Sequence, residues 1–256
     1  MKQISIFTGL AKKAALKAGQ KILEVYHSEE IGLTLKDDQS PLTLADQAAH
    51  RIILSVLEES SLPILSEEGA GIPYEVRKEW EYYWLVDPLD GTKEFVKRNG
   101  EFTVNIALIH LGKPILGVVY APVLDWLYWG SLESGAWKQV GDQNPQKLLK
   151  LTDATVKNIV ASRSHLNRET NDFIANYPEA KVVNMGSSLK ITLVAENKAQ
   201  LYPRFGPTLE WDTAAAHAIV LAMGGNVLRI DNRLPLIYNK ENLLNPDFLV
   251  LGFGQQ

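Results

Sequence analysis

The chain has 256 residues, 46% of them apolar and 22% charged, the balance of a globular protein long enough for one large or two modest cores. The formal charge is −4 and no long run of Lys or Arg occurs, which argues against a nucleic-acid polymer as partner. Cysteine is absent, which excludes disulfides, thiolate catalysis and thiolate zinc sites and fits a reducing compartment.

Residues 1–13 hold no apolar stretch of signal-peptide length, and no run approaches the roughly 20 apolar residues that span a bilayer. The expectation is a cytoplasmic protein, at most peripheral on the cytoplasmic side of the inner membrane. Apolar residues at Ile4, Phe7, Ala11, Ala14, Ala18, Ile22 and Val25 repeat at helical spacing and predict a long amphipathic first helix. A polar break at 36–41 follows, then a second helix with Ala45, Ala49, Ile52, Ile53 and Val56 on its buried face. Thr43 stands at its N-cap, and Asp46 three positions later completes a capping-box-like pair. Strand-length apolar segments come next at 82–86, 103–110, 114–120 and 127–130. The turns at Gly112-Lys113 and Ala121-Pro122 make them a largely antiparallel sheet. The polar stretch 139–147, with Gly141 and Pro145, reads as a hinge or an edge loop. Beyond it the rhythm is strand 158–162, helix 168–175, strand 181–185, helix 188–196, which predicts an α/β second half. A last helix, 211–223, stops at Gly224-Gly225.

The most informative segment is Trp84-Leu85-Val86-Asp87-Pro88-Leu89-Asp90-Gly91-Thr92, an apolar strand running into Asp-Pro-x-Asp-Gly-Thr. Pro88 has no N–H and is expected to end the ladder, so that the chain turns at the mouth of the sheet. Asp87, Asp90 and the carbonyl of Leu89 offer oxygens suited to a hard divalent cation. Gly91 permits close backbone approach, and Thr92 opens a helix whose free N–H groups suit an anion. Turn formation accounts for the same Asp, Pro and Gly equally well. Further carboxylates lie at Glu67 and Glu68, after Ile64-Leu65, and at the helix starts Asp46 and Asp212, where the dipole alone favours acids. Gathered into one cleft, such groups repel by about 1 to 4 kcal/mol per close pair, a penalty that a bound cation removes. Spacing leaves open whether they meet.

Asp87-Pro88-Leu89-Asp90-Gly91-Thr92 followed by Trp211-Asp212, with Asp46 and Glu67-Glu68 upstream, resembles the signature pair of the inositol-monophosphatase superfamily. The resemblance spans nearly the whole chain. It implies metal-dependent hydrolysis of phosphate monoesters on a layered αβαβα sandwich of α+β and α/β character. A metal-binding unit would occupy 1–140 and a substrate-binding unit 141–256. On that likeness Glu67, Asp87, the Leu89 carbonyl, Asp90 and Asp212 hold two or three Mg²⁺ ions. Asp46 and Thr92 orient and deprotonate the attacking water, the backbone of Gly91 and Thr92 grips the phosphate, and Asp212 also meets substrate. Glu68 supports the ligands from behind. The five His residues show no metal-ligand pattern and none is assigned to a metal.

Four other segments resemble the bacterial CysQ group of 3′(2′),5′-bisphosphate nucleotidases within that superfamily. These are residues 95–105, Ser162-Arg163-Ser164-His165, Gly186-Ser187-Ser188-Leu189-Lys190, and residues 200–207. In that group the Ser162-to-His165 and Gly186-Ser187-Ser188 segments go with the nucleoside side of the substrate, and Lys190 and Arg204 would meet phosphate. The implied substrate is adenosine 3′,5′-bisphosphate, cleaved to AMP and phosphate. The sulfated analogue PAPS is a second implied substrate, and the resemblance also implies a role in sulfur assimilation and sensitivity to lithium. Two alternatives remain: an inositol- or sugar-phosphate phosphatase of the same superfamily, and a metal- or nucleotide-binding protein without turnover. The Asp46 and Thr92 pair argues against the second. Ser187 or Ser188 has a plain reading as the cap of the helix that follows. Ala216 stands where relatives commonly have Gly after Trp-Asp and adds one methyl.

Overall fold

A computed structural model of the chain describes residues 2–35, 41–150, 155–162, 167–252 and 254. Helix α1 (Lys2–Tyr26) buries Phe7, Ala11, Ala14, Ala18 and Ile22 in one stripe. Those alanines let helix α2 (Leu44–Leu57) pack closely along it. The start of α2 is fixed locally. Thr43 Oγ accepts from the Ala45 N–H at 3.2 Å, and Asp46 Oδ2 accepts from the Thr43 N–H at 2.7 Å.

Both helices cover one face of a seven-stranded sheet. Its strands are β1 (Ile64–Ser66), β2 (Tyr82–Asp90), β3 (Thr103–His110), β4 (Lys113–Ala121), β5 (Trp126–Ser131), β6 (Gly135–Val140) and β7 (Gln146–Lys147), in sequence order across the sheet. β1 pairs with β2 in parallel, and each later neighbour pair is antiparallel. A five-residue helix, α3 (Thr92–Val96), follows β2.

The second half supplies β8 (Asn158–Ala161), α4 (Arg168–Ala175), β9 (Lys181–Asn184), α5 (Leu189–Ala195), β10 (Leu201–Arg204), α6 (Glu210–Ala222), β11 (Asn226–Arg229) and β12 (Phe248–Leu251). Its sheet runs β9-β8-β10-β12-β11, parallel through the first three and antiparallel beyond. α5 and α6 lie between the sheets, where Leu85, Ala107 and Val119 of the first share a core with Tyr202, Val227 and Val250 of the second. Phe173 and Ile174 of α4 cover the outer face at Ile159, Leu201 and Leu249. The layers are therefore α1/α2, sheet, α5/α6, sheet, α4, the αβαβα sandwich expected. α6 rides directly on β4: a Cβ on Gly117 would lie 1.9 Å from the Ala215 carbonyl oxygen, so this contact needs glycine. Ala216 is fully buried in the same layer.

Two local expectations need correction. Pro88 does not end the ladder, because β2 continues to Asp90. The pairs Asp87 with Asn105 and Asp90 with Thr103 set three steps against two, and Pro88 falls inside that irregularity, where no ladder N–H is required. The stretch 139–147 keeps the edge-loop reading and loses the hinge. β6 and β7 flank a turn there at the edge of the sheet, and the Gly141 N–H is anchored on the Asp125 carbonyl at 2.9 Å. Edge strands bury little, so their sequence lacks an apolar signal.

Candidate active site

The bulge in β2 is what brings the acids together. In a regular strand Asp87 and Asp90, three apart, would point to opposite faces. The extra residue between them restores a common side. The first turn of α6 adds Asp212, and one oxygen from each of Asp87, Asp90 and Asp212 lies within 4.8 Å of the others. Glu67, just beyond β1, hydrogen-bonds with Asp87.

Each aspartate commits one oxygen to the scaffold. Asp87 Oδ1 accepts from the Leu89 N–H at 3.0 Å, and Asp212 Oδ2 from the Leu209 N–H at 2.8 Å. Asp90 Oδ2 accepts from the Ser187 hydroxyl and the Ser188 N–H, both at 2.6 Å. Asp46 follows the same rule: its Oδ2 takes the Thr43 N–H and hydroxyl, while Oδ1 accepts from Thr92 Oγ at 3.3 Å. The Leu89 side chain is buried, and its carbonyl accepts from Thr92 Oγ at 3.4 Å.

Burial first, then the charges of Glu67, Asp90 and Asp212, hold the Asp87 carboxyl well above its ordinary value of 3.8. Burial and then Asp90 do the same to Asp212. Such a set of hard oxygens, buried and mutually repelling, fits a divalent cation of the Mg²⁺ kind. A folded-state pKa raised above the unfolded one contributes stability that is full below the unfolded value and lost as pH rises through the folded one. Where those carboxyls ionise, the metal-free cluster therefore repels itself. Adding Mg²⁺ there should raise Tm. The gain should shrink as pH falls toward the ordinary carboxylate range, where protons compete for the same oxygens. Thermal scans with Mg²⁺ and with EDTA across that range check this, and a gain that grew on acidification would contradict it.

Above the acids opens a cleft of about 330 Å³, lined by Gly91, Ser162, Gly186, Ser187, Lys190 and Arg204 as well as Asp90 and Asp212. Lys190 Nζ donates to the Ser187 carbonyl at 2.7 Å, and burial lowers its pKa to about 8. Arg204 Nη2 donates to the Pro207 carbonyl at 3.0 Å. Gly186 approaches closely enough that an added Cβ would sit 2.8 Å from the Glu101 carbonyl oxygen. Arg163, Ser164 and His165 lie outside the described residues.

The sequence profile of the inositol monophosphatase family matches residues 4–249. The chain belongs to this family. It is 50% identical over 240 residues to the 3′(2′),5′-bisphosphate nucleotidase CysQ of Shigella flexneri, covering 92% of this chain and 96% of that protein. Against the same nucleotidase of Escherichia coli K12 the identity is 49% over 240 residues, with the same coverage. The crystal structure of CysQ from Bacteroides thetaiotaomicron matches with a TM-score of 0.86 at 47% identity, covering 96% of both chains.

For an inositol monophosphatase family site, one reading of side chains changes. Ser187 and Ser188 do not cap α5: Ser188 sits at the N-cap without a side-chain cap bond, and the Ser187 hydroxyl is turned to Asp90. Of the Glu67-Glu68 pair, Glu67 hydrogen-bonds with Asp87, and the charge of Glu68 raises the His50 pKa against the lowering by burial. Sequence reasoning passed over Thr103 and Asn105, which lie buried behind Asp90. Their signal was two polar residues at positions i and i+2 of a strand that is apolar from there until its last residue, His110. Glu94 and Glu101, which line the cleft, were missed as well, because each reads as an ordinary solvated acid.

Proposed function

We propose that this chain is a Mg²⁺-dependent phosphomonoesterase that hydrolyses adenosine 3′,5′-bisphosphate to AMP and inorganic phosphate. Two or three ions would be held by Glu67, Asp87, the Leu89 carbonyl, Asp90 and Asp212. The observation that carries this reading is the convergence of Asp87, Asp90 and Asp212 beneath a cleft that also holds Lys190 and Arg204. The relatives at half identity, named as bisphosphate nucleotidases, support the choice of substrate.

Bound divalent cations supply Lewis-acid charge to the phosphoryl oxygens, the attacking water and the leaving oxygen. The chain's own groups do the rest. The Thr92 hydroxyl donates to Asp46 Oδ1, which leaves the Thr92 oxygen lone pairs to accept from a water. As that water attacks phosphorus, its proton passes to Thr92 Oγ and the Thr92 proton to Asp46. Asp46 is held for this by Thr43, at the buried start of α2. The N–H groups of Gly91 and Thr92 donate to the phosphoryl oxygens. Arg204 and Lys190 take the phosphate that does not react, Ser162, Gly186 and Ser187 face the nucleoside, and family likeness alone assigns His165 to the same part of the substrate.

Arg204→Ala tests the substrate. A lost charge-assisted contact is worth about 1.5 to 3 kcal/mol, so kcat/KM for the bisphosphate nucleotide should fall roughly 10- to 150-fold. Inositol 1-phosphate has no second phosphate, and its kcat/KM should barely move. The ratio of the two losses cancels general damage to the fold. Equal losses would mean that Arg204 serves the scaffold or the scissile phosphate. A wild-type preference for inositol 1-phosphate would overturn the choice of substrate and leave the metal chemistry standing.

A further inference from the structure

We propose that Asn105 is a positioning residue that fixes the Asp90 carboxylate for cation binding and ties it to loop 186–188 of the substrate cleft. The inference rests on Asp90 being a metal ligand. Asn105 lies on β3 directly opposite Asp87, while Thr103 on the same strand pairs with Asp90, so both reach the bulge from behind. Its Nδ2 donates to Asp90 Oδ2 at 3.4 Å. A carboxylate only accepts, so the amide must turn its NH₂ toward Asp90 and its carbonyl away. That carbonyl meets the hydroxyls of Ser188 at 2.8 Å and Thr103 at 3.2 Å. Thr103 Oγ in turn lies 2.6 Å from Ser187 Oγ and 2.8 Å from Ser188 Oγ. The circle closes on Asp90, whose Oδ2 takes both Ser187 and Ser188.

Three features mark this as more than packing. Thr103, Asn105 and Ser188 are each at most 3% exposed, and burying three polar side chains is unfavourable unless every one is bonded. Ser187 adopts a left-handed φ of 53°, an uncommon state for a residue with a side chain, and in it the hydroxyl points at Asp90. The network also joins residues 83 to 98 positions apart in sequence, from both halves of the chain, on a single carboxylate oxygen. With Oδ2 held by three donors the carboxylate cannot rotate, and Oδ1 is the atom presented to the cation. Without Asn105, Asp90 Oδ2 loses one of its three donors and the Ser188 hydroxyl keeps only Thr103 Oγ, so the carboxylate and the loop are held less firmly.

Binding of Mn²⁺, followed by the loss of the free-ion EPR signal, reads this directly and without turnover. Asn105→Ala should weaken Mn²⁺ binding roughly 10- to 100-fold, the range for groups that orient a metal's ligands. Thr103→Val keeps the shape and removes the hydroxyl, and should weaken binding several-fold, whereas Thr103→Ser should bind like wild type. Should Asn105→Ala fail to fold, the two Thr103 variants decide. Wild-type Mn²⁺ affinity in folded Asn105→Ala, or in Thr103→Val, would overturn the inference and leave Asp90 as a ligand. A wild-type protein that binds no Mn²⁺ would overturn the metal reading itself, and the inference with it.

Discussion

Replacing Asp90 by Asn should lower kcat for the bisphosphate nucleotide by at least about 10³-fold while the protein stays folded. Ser187 Oγ and the Ser188 N–H both point at Oδ2 from 2.6 Å. In the variant those donors select the amide oxygen, and the NH₂ is driven to the side that faces Asp87 and Asp212. A donor then stands where a cation needs an acceptor, and one negative charge is gone from the cluster. A loss of about 4 kcal/mol of transition-state charge stabilisation corresponds to roughly 10³-fold in rate. The same change removes a repulsion. Asp90 is among the charges that raise the pKa of Asp87 and of Asp212, so the metal-free variant should melt higher than metal-free wild type near neutral pH. Dead chemistry in a more stable apo-protein is hard to obtain by misfolding. Kinetics together with melting curves, with Mg²⁺ and with EDTA, give both halves of the result. Near-wild-type turnover in Asp90→Asn, or wild-type turnover that survives exhaustive chelation, would end the metal reading.

What the sequence made legible here is what short-range physics controls. The alanine stripe of α1 and the Thr43–Asp46 pair at the start of α2 depend on residues within a turn or two. The hairpins of the first sheet likewise follow from local alternation and turns. The bulge at Pro88 was not legible, because it exists only relative to the register of β3. Nor did spacing show that Asp212 reaches Asp90, since α6 is placed by Gly117 of a strand some hundred positions earlier. The order of motifs supplied that expectation through family likeness. Ser187 illustrates the limit best. Read locally, it caps a helix, but its hydroxyl is claimed by an aspartate 97 positions away. Lys190, expected to meet phosphate, also donates to the Ser187 carbonyl, a bond that no local pattern announces.

Thr92→Ala should lower kcat by about 10²-fold or more, the range for a lost general-base path, with little change in KM. The substitution removes no charge and no ligand carboxylate, so the Mg²⁺ concentration for half-maximal activity should hold. It should not unsettle α3 either. Gly91 is the N-cap of that helix, and the Thr92 hydroxyl spends its bonds on Asp46 Oδ1 at 3.3 Å and the Leu89 carbonyl at 3.4 Å. Without the hydroxyl, a water has no relay to Asp46, which is 2% exposed and held at the base of α2. Thr92→Ser supplies the control, because it restores the oxygen and omits only a methyl. Its kcat should return to within a few-fold of wild type. If Ser fell as far as Ala, the loss would come from packing around the methyl and not from the proton path. If instead KM rose while kcat stayed level, Thr92 would be holding substrate, and Asp46 would need another route to the water.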